Sequence, residues 1–168
     1  MLIRLLNPND AASFQSLRLQ ALREAPTSFA SSYEEEVDRS LNVIRSQLTT
    51  RDDRGVFGAL DETRLVGIAG LGRENLRKLS HKAFLWGVYV APDVRGSGIS
   101  RRLIAVALDF AKSVPGITQV NLTANATSTA AINVYASLGF QQFGMERHSL
   151  MVSGDAYDEL HMSLRLSE

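Results

Sequence analysis

The spacing of apolar positions changes along the chain, and each change marks a new element. Residues 2–6 are a short apolar run and predict a strand. Asn7-Pro8 then gives turn chemistry, and Phe14, Leu17, Leu19, Ala21 and Leu22 include helical spacings, predicting a helix over about 9–24 that Pro26 ends. A second helix is expected to start near Ser32 and run without a break through Val37, Leu41, Ile44 and Leu48 on one stripe. The period then shortens. Residues 55–60 and 64–72 predict two strands joined by Asp61-Glu62-Thr63, and residues 82–91 a longer strand ended by Pro92. Ile99, Leu103, Val106, Ala107 and Phe110 form the stripe of a helix from about Gly98 to Lys112. A strand over 118–124 and a short helix from Ser128 to Leu138, closed by Gly139, come next. Two final strands flank the turn Ser153-Gly154-Asp155-Ala156.

The resulting order is β-α-α-β-β-β-α-β-α-β-β. A strand–helix–strand unit beside a meander implies an α/β (α+β) chain with a mixed sheet covered by helices. At 168 residues the chain suits one domain with a real core, and residues 1–168 are read as one. Apolar residues make up 45% and charged residues 21% of it, an ordinary globular balance. Eighteen basic residues balance eighteen acidic ones, which argues against a nucleic-acid partner held by bulk positive charge. There is no cysteine, which excludes disulfides, thiolate nucleophiles and cysteine metal sites. No apolar run has the roughly 20 residues needed to cross a bilayer, and no signal peptide is evident, so no membrane partner and a cytoplasmic location are expected.

The candidate chemistry sits between the long strand and the helix that follows it. Arg95-Gly96-Ser97-Gly98 opens that helix, whose first N–H groups have no partner within it and carry the positive end of its dipole. Gly96 and Gly98 have no side chain to hold a ligand away, and Arg95 adds a cation suited to phosphate oxygens. Together these favour a phosphate, and above all a diphosphate. The P-loop ending is missing, because Ile99 and Ser100 follow Gly98. The dinucleotide fingerprint is missing too, with Arg101 at its third small position and no acidic residue in 118–124. About 30 residues on, Tyr135 lies on a short helix one turn before Gly139.

These two constellations, in this order, resemble the GCN5-related N-acetyltransferase (GNAT) superfamily, in a small bacterial-type form. Its acetyl-CoA motif, Arg/Gln-x-x-Gly-x-Gly/Ala, is matched by "RGSGIS", with Arg95 and Gly98 in place and the small Ser100 at the last position. Downstream, Asn125, Ala131-Ile132, Tyr135 and Gly139-Phe140 match, while Ser128 replaces a second Asn. The resemblance implies a GNAT-like acyl-CoA N-acyltransferase fold: a mixed, mostly antiparallel central sheet with a β-α-β acetyl-CoA-binding core. Acetyl-CoA is the implied cosubstrate. Val88, Tyr89 and Val90 would offer backbone groups to its pantetheine arm, and Arg95, Gly96, Ser97, Gly98, Ile99 and Ser100 would receive the pyrophosphate. Asn125, Ser128 and Tyr135 would complete the cofactor site, and Tyr135 would protonate the leaving thiolate; no metal is implied.

No general base can be named. The strand 82–90 holds no carboxylate, and Glu34, Glu74, His81, His148, Glu159 and His161 each read as readily as structural or solvated residues. Thr27, Ser28, Phe29, Tyr33 and His148 are expected near the acceptor, by the same resemblance. The run Glu34–Glu36 would attract a cationic amine or form a solvated helix face. The expected partner is a small-molecule amine, with self-association as a homodimer left open. A peptide or protein N-terminus, or a non-catalytic acyl-CoA-binding sensor, are the competing readings.

Overall fold

The computed structural model describes residues 1–167. Its strands are β1 (Leu2–Leu5), β2 (Arg54–Asp61), β3 (Arg64–Arg73), β4 (Lys82–Val90), β5 (Gln119–Asn125), β6 (Gln141–Val152) and β7 (Asp155–Arg165). Its helices are α1 (Ala11–Glu24), α2 (Tyr33–Glu36), α3 (Leu41–Gln47), α4 (Ile99–Ser113) and α5 (Thr129–Ser137). The strands make one sheet in the order β1-β2-β3-β4-β5-β7-β6. Every neighbouring pair is antiparallel except β4 with β5. The expected mixed, mostly antiparallel sheet is therefore present, with β4-α4-β5 as its parallel unit.

The apolar runs explain the layering. β3 is buried from Leu65 to Leu71, on both faces, as a strand covered from two sides must be. Both α1 and α4 pack on it. α4 contributes Leu103, Ile104, Ala107 and Ala111, all with no exposed surface, and α1 contributes Phe14 and Ala21. These meet Val66, Ile68 and Leu71 of β3 in one continuous core.

The single long helix expected after Ser32 is two short ones. Ser32 and Glu35 form a reciprocal cap on α2, the Ser-x-x-Glu signature of a helix start. Ser40 then starts α3 afresh, its side chain accepting from the Val43 N–H. The apolar stripe fails with the break: Ile44 and Leu48 are buried, but Leu41 is 42% exposed. The buried member of α2 is Glu36, so Glu34–Glu36 is not uniformly a solvated face. Glu36 accepts from Arg18 Nε at 3.1 Å and Arg18 Nη2 at 3.0 Å, and its carbonyl accepts from Gln15 Nε2 at 2.8 Å.

Burial alone pushes the Glu36 carboxyl up, but the Arg18 hydrogen bonds and charge, with Arg39, outweigh it and hold the group below the usual glutamate range. A lowered folded value means this stabilisation is complete above the ordinary glutamate range and is lost as pH falls through the folded value. Glu36→Ala strands a buried guanidinium and is expected to cost about 3–5 kcal/mol in urea melts at neutral pH. A loss below about 1 kcal/mol would show the pair to be well solvated.

Candidate active site

β4 and β5 run side by side for only three residue pairs, Lys82–Gln119, Ala83–Val120 and Phe84–Asn121. Beyond Phe84 they part. The separation coincides with a bulge on the other edge of β4, where Trp86 pairs with Gly70 and Tyr89 with Ile68, leaving one extra residue on β4. Gly87, inside the bulge, has a left-handed φ of +63°. The Ala91 N–H donates to the Val66 carbonyl on β3. Alternation along the strand therefore turns the backbone groups of Val88 and Val90 toward the gap.

The gap opens into a cleft of about 870 Å³. Val88, Tyr89 and Val90 form one wall, and Ser128, Val134 and Tyr135 the opposite one. Its end is closed by the glycine loop and the first turn of α4. Gly96 and Gly98 have φ of +78° and +77°, and a Cβ on either would meet nothing within 4 Å. Gly98 caps α4 without a side-chain hydrogen bond, and the first helical bond runs from the Arg102 N–H to the Gly98 carbonyl, at 3.1 Å. Among the described residues, the N–H groups from Gly96 to Arg101 take no partner. A row of free amides at the positive end of a 15-residue helix, facing open space, suits a diphosphate.

Of the residues expected at a cofactor site, Val88, Tyr89, Val90, Arg95, Gly96, Gly98, Ile99, Ser100, Ser128 and Tyr135 all line this cleft. Ser97 and Asn125 do not. Ser97 Oγ donates to the Val94 carbonyl at 2.7 Å. Asn125 is buried; its Nδ2 donates to the Thr27 carbonyl at 3.0 Å, and its Oδ1 accepts from the Thr127 N–H and hydroxyl at 2.8 and 2.7 Å. It fastens the turn before α5 to the loop after α1.

Arg95 also differs from expectation. Its guanidinium bonds Glu24 and the Val90 carbonyl and lies over the Tyr89 ring, so it is not a free cation. Glu24, at the end of α1, had no local signal in the sequence.

Tyr135 is 8% exposed, in edge contact with Phe140 at 6.0 Å between ring centroids. Its hydroxyl bonds no protein group among the described residues, and burial pushes the phenol up to about 12. Ser28 and Phe29 line the cleft as well. Phe29, Tyr33 and Glu34 line an adjoining hollow of about 520 Å³ under the tip of β6. Thr27 lends its carbonyl to Asn125, and the His148 N–H donates to Asp158 from a bulge with φ of +53°. None of Glu34, Glu74, His81, His148, Glu159 or His161 lines the main cleft. Glu159 accepts from Ser149 Oγ at 2.6 Å, and His161 Nε2 faces Glu146 at 3.6 Å. Among the described residues, no group of His, Asp and Glu is placed to hold a metal ion, and no helix is long and apolar enough to cross a membrane.

The sequence profile of the Acetyltransferase (GNAT) family matches residues 18–140. The N-alpha-acetyltransferase RimI of Mycobacterium tuberculosis is 39% identical over 101 residues, 60% of this chain; the chain spans 61% of the length of that relative. A GNAT-family acetyltransferase from Streptococcus pneumoniae superposes with a TM-score of 0.85 at 19% identity, covering 98% of this chain and 99% of that one. The yncA structure from Salmonella typhimurium, solved with its cofactor acetyl-CoA, gives 0.83 at 20% identity, covering 100% and 95%.

Proposed function

This chain belongs to the acetyltransferase (GNAT) family, and we propose that it transfers an acetyl group from acetyl-CoA directly to a primary amine of a small molecule. The observation that carries this reading is the cleft itself, where unpaired loop amides face open space at one end and the buried Tyr135 forms a wall. Acetyl-CoA supplies an activated acetyl thioester and a diphosphate handle. The amides from Gly96 to Ser100 hold the diphosphate, and the backbone groups of Val88 and Val90, which face the gap while those of Tyr89 face β3, orient the pantetheine arm. Backbone N–H groups of the bulged strand polarise the acyl carbonyl. Tyr135 keeps its proton at neutral pH and delivers it from Oη to the departing sulfur. Its pKa of about 12 is set by burial, and the same desolvation makes a thiolate released there more basic, which keeps donor and acceptor matched.

Among the described residues no carboxylate or imidazole lines the cleft, and no side chain is assigned as the base that takes the amine's proton. Ser28 and Phe29 meet the acceptor from the loop after α1, with the hollow at Glu34 beside them. Residues 1–168 act in this reading as one cytoplasmic N-acetyltransferase domain. The 39% identical relative favours a second reading in which the acceptor is a peptide α-amine.

Calorimetry tests the cosubstrate. CoA is expected to bind far more tightly than ATP or NAD; tight ATP binding with no response to CoA would overturn the reading. A screen of amines, polyamines and short peptides, read by thiol release, separates the acceptors. A chain that binds acetyl-CoA but releases no thiol with any of them would be a binding module.

A further inference from the structure

Inside the glycine loop the Ser97 hydroxyl bonds the Val94 carbonyl, and little else within the loop holds its shape. Its amides are unpaired, and two of its residues sit at positive φ with open space around them. Such a segment loses much of its order unless something outside fixes it. The fixing contact comes from across the fold. Arg95 Nη1 lies 2.9 Å from Glu24 Oε1, Nη2 donates to Glu24 Oε2 at 3.1 Å, and Nε donates to the Val90 carbonyl at 2.8 Å. All three guanidinium nitrogens are therefore engaged, in the paired geometry that arginine and carboxylate favour. The plane lies over the Tyr89 ring, 5.4 Å from its centroid. The Tyr89 hydroxyl donates to the same Glu24 carboxylate and accepts from Gln20 Nε2 at 3.3 Å. Glu24 is also the residue before Ala25, where the chain enters the loop that lines the cleft on its other side.

We propose that Glu24, acting through Tyr89 and Arg95, is a positioning residue for the anion loop, and that Arg95 anchors this loop rather than binding phosphate itself. The proposal rests on the reading of the loop as the acetyl-CoA diphosphate site. Glu24 cancels the Arg95 charge, which leaves the backbone amides as the groups that meet the anion. The brace fixes those amides before the ligand arrives, and it joins the cosubstrate loop to the loop after α1.

Glu24→Gln keeps the shape and removes the charge. In the ligand-free full chain, ¹⁵N relaxation should show the order parameters of Gly96 and Gly98 falling from about 0.85 to below about 0.6. The Kd for CoA should rise about tenfold, with kcat at saturating acetyl-CoA nearly unchanged. Arg95→Gln should loosen the loop and raise the Kd for CoA in the same way, and the double variant should bind no more weakly than Arg95→Gln alone, because both break one brace. The melting temperature should hardly move, since the ion pair is half-exposed. If Glu24 merely competes with phosphate for Arg95, Glu24→Gln frees a cation and tightens CoA binding. That result, or unchanged order in the loop, overturns the proposal. The relaxation experiment needs no ligand, so failure of the wild-type chain to bind CoA would count against the cleft's assignment while the brace is still decided by loop order. Should Glu24→Gln not fold, Tyr89→Phe, which removes one hydroxyl from the brace, gives the same loss of loop order at smaller amplitude.

Discussion

Tyr135→Phe should slow turnover by about 10²-fold, close to 2.7 kcal/mol of transition-state stabilisation, with CoA affinity and melting temperature nearly unchanged. The expectation follows from what the hydroxyl does and does not touch. It bonds no protein group among the described residues, so its removal breaks no internal hydrogen bond. The ring keeps its burial and its edge contact with Phe140, which a phenylalanine reproduces. What disappears is one proton at the wall of the cleft. The loss should shrink with an acyl donor whose leaving thiol is more acidic, because that thiolate needs a proton less. The pH profile carries a second signature. With the phenol at about 12, the donor stays protonated far above the ordinary tyrosine value, so kcat should show no alkaline limb near pH 10. A tyrosine serving only as a core aromatic gives the reverse pattern: wild-type turnover in the phenylalanine variant, and damage only in Tyr135→Ala. Equal kcat in the two proteins, with chemistry shown to be rate-limiting, would move the proton to water.

The sequence made the segment from β4 to α5 legible because its signals are local. Pro92 ends a strand, two glycines precede an amphipathic stripe, and a tyrosine precedes a terminating glycine, all within a few residues of the features they create. What it hid depends on distant partners. Glu36 looks like one of three glutamates on a helix face, and only Arg18, on another helix, makes it a buried ion. The expected helix also breaks close by, where the Ser40 side chain caps α3 afresh. Asn125 matched a cofactor motif by position, yet its amide donates to Thr27, 98 residues away. Arg95 reads as a phosphate cation until Glu24 is brought to it from the end of α1. The splay of β4 from β5 has no local mark either. Gly87 sits inside an apolar run that reads as plain strand, and its left-handed φ becomes visible only when β3 and β4 are paired.

Gly98→Val should weaken CoA binding by at least about 10²-fold while the chain still folds cooperatively. Two effects act together and can be separated. The first is backbone strain: at φ of +77° a β-branched residue is unfavourable, by roughly 1–3 kcal/mol. For a chain of this size, at about 2–4 °C per kcal/mol, that is a drop in melting temperature of roughly 2–12 °C. The second is occupancy. A Cβ on Gly98 meets no protein atom beyond its chain neighbours within 4 Å, and Gly98 lines the cleft, so a valine is expected to occupy space where the free amides would meet the diphosphate. Gly154 supplies the control. It has φ of +85° and equally open surroundings, but lies in the turn between β6 and β7 and lines no part of the cleft. Gly154→Val should therefore lower the melting temperature to a similar degree and leave CoA binding alone. Gly98→Ala should fall between wild type and valine in affinity, because its methyl group is smaller and strains the backbone less. If Gly98→Val and Gly154→Val lose the same stability and both bind CoA like wild type, the glycine turn shapes the chain and does not hold the ligand. If only Gly98→Val loses binding, the open face of the loop is where the anion sits.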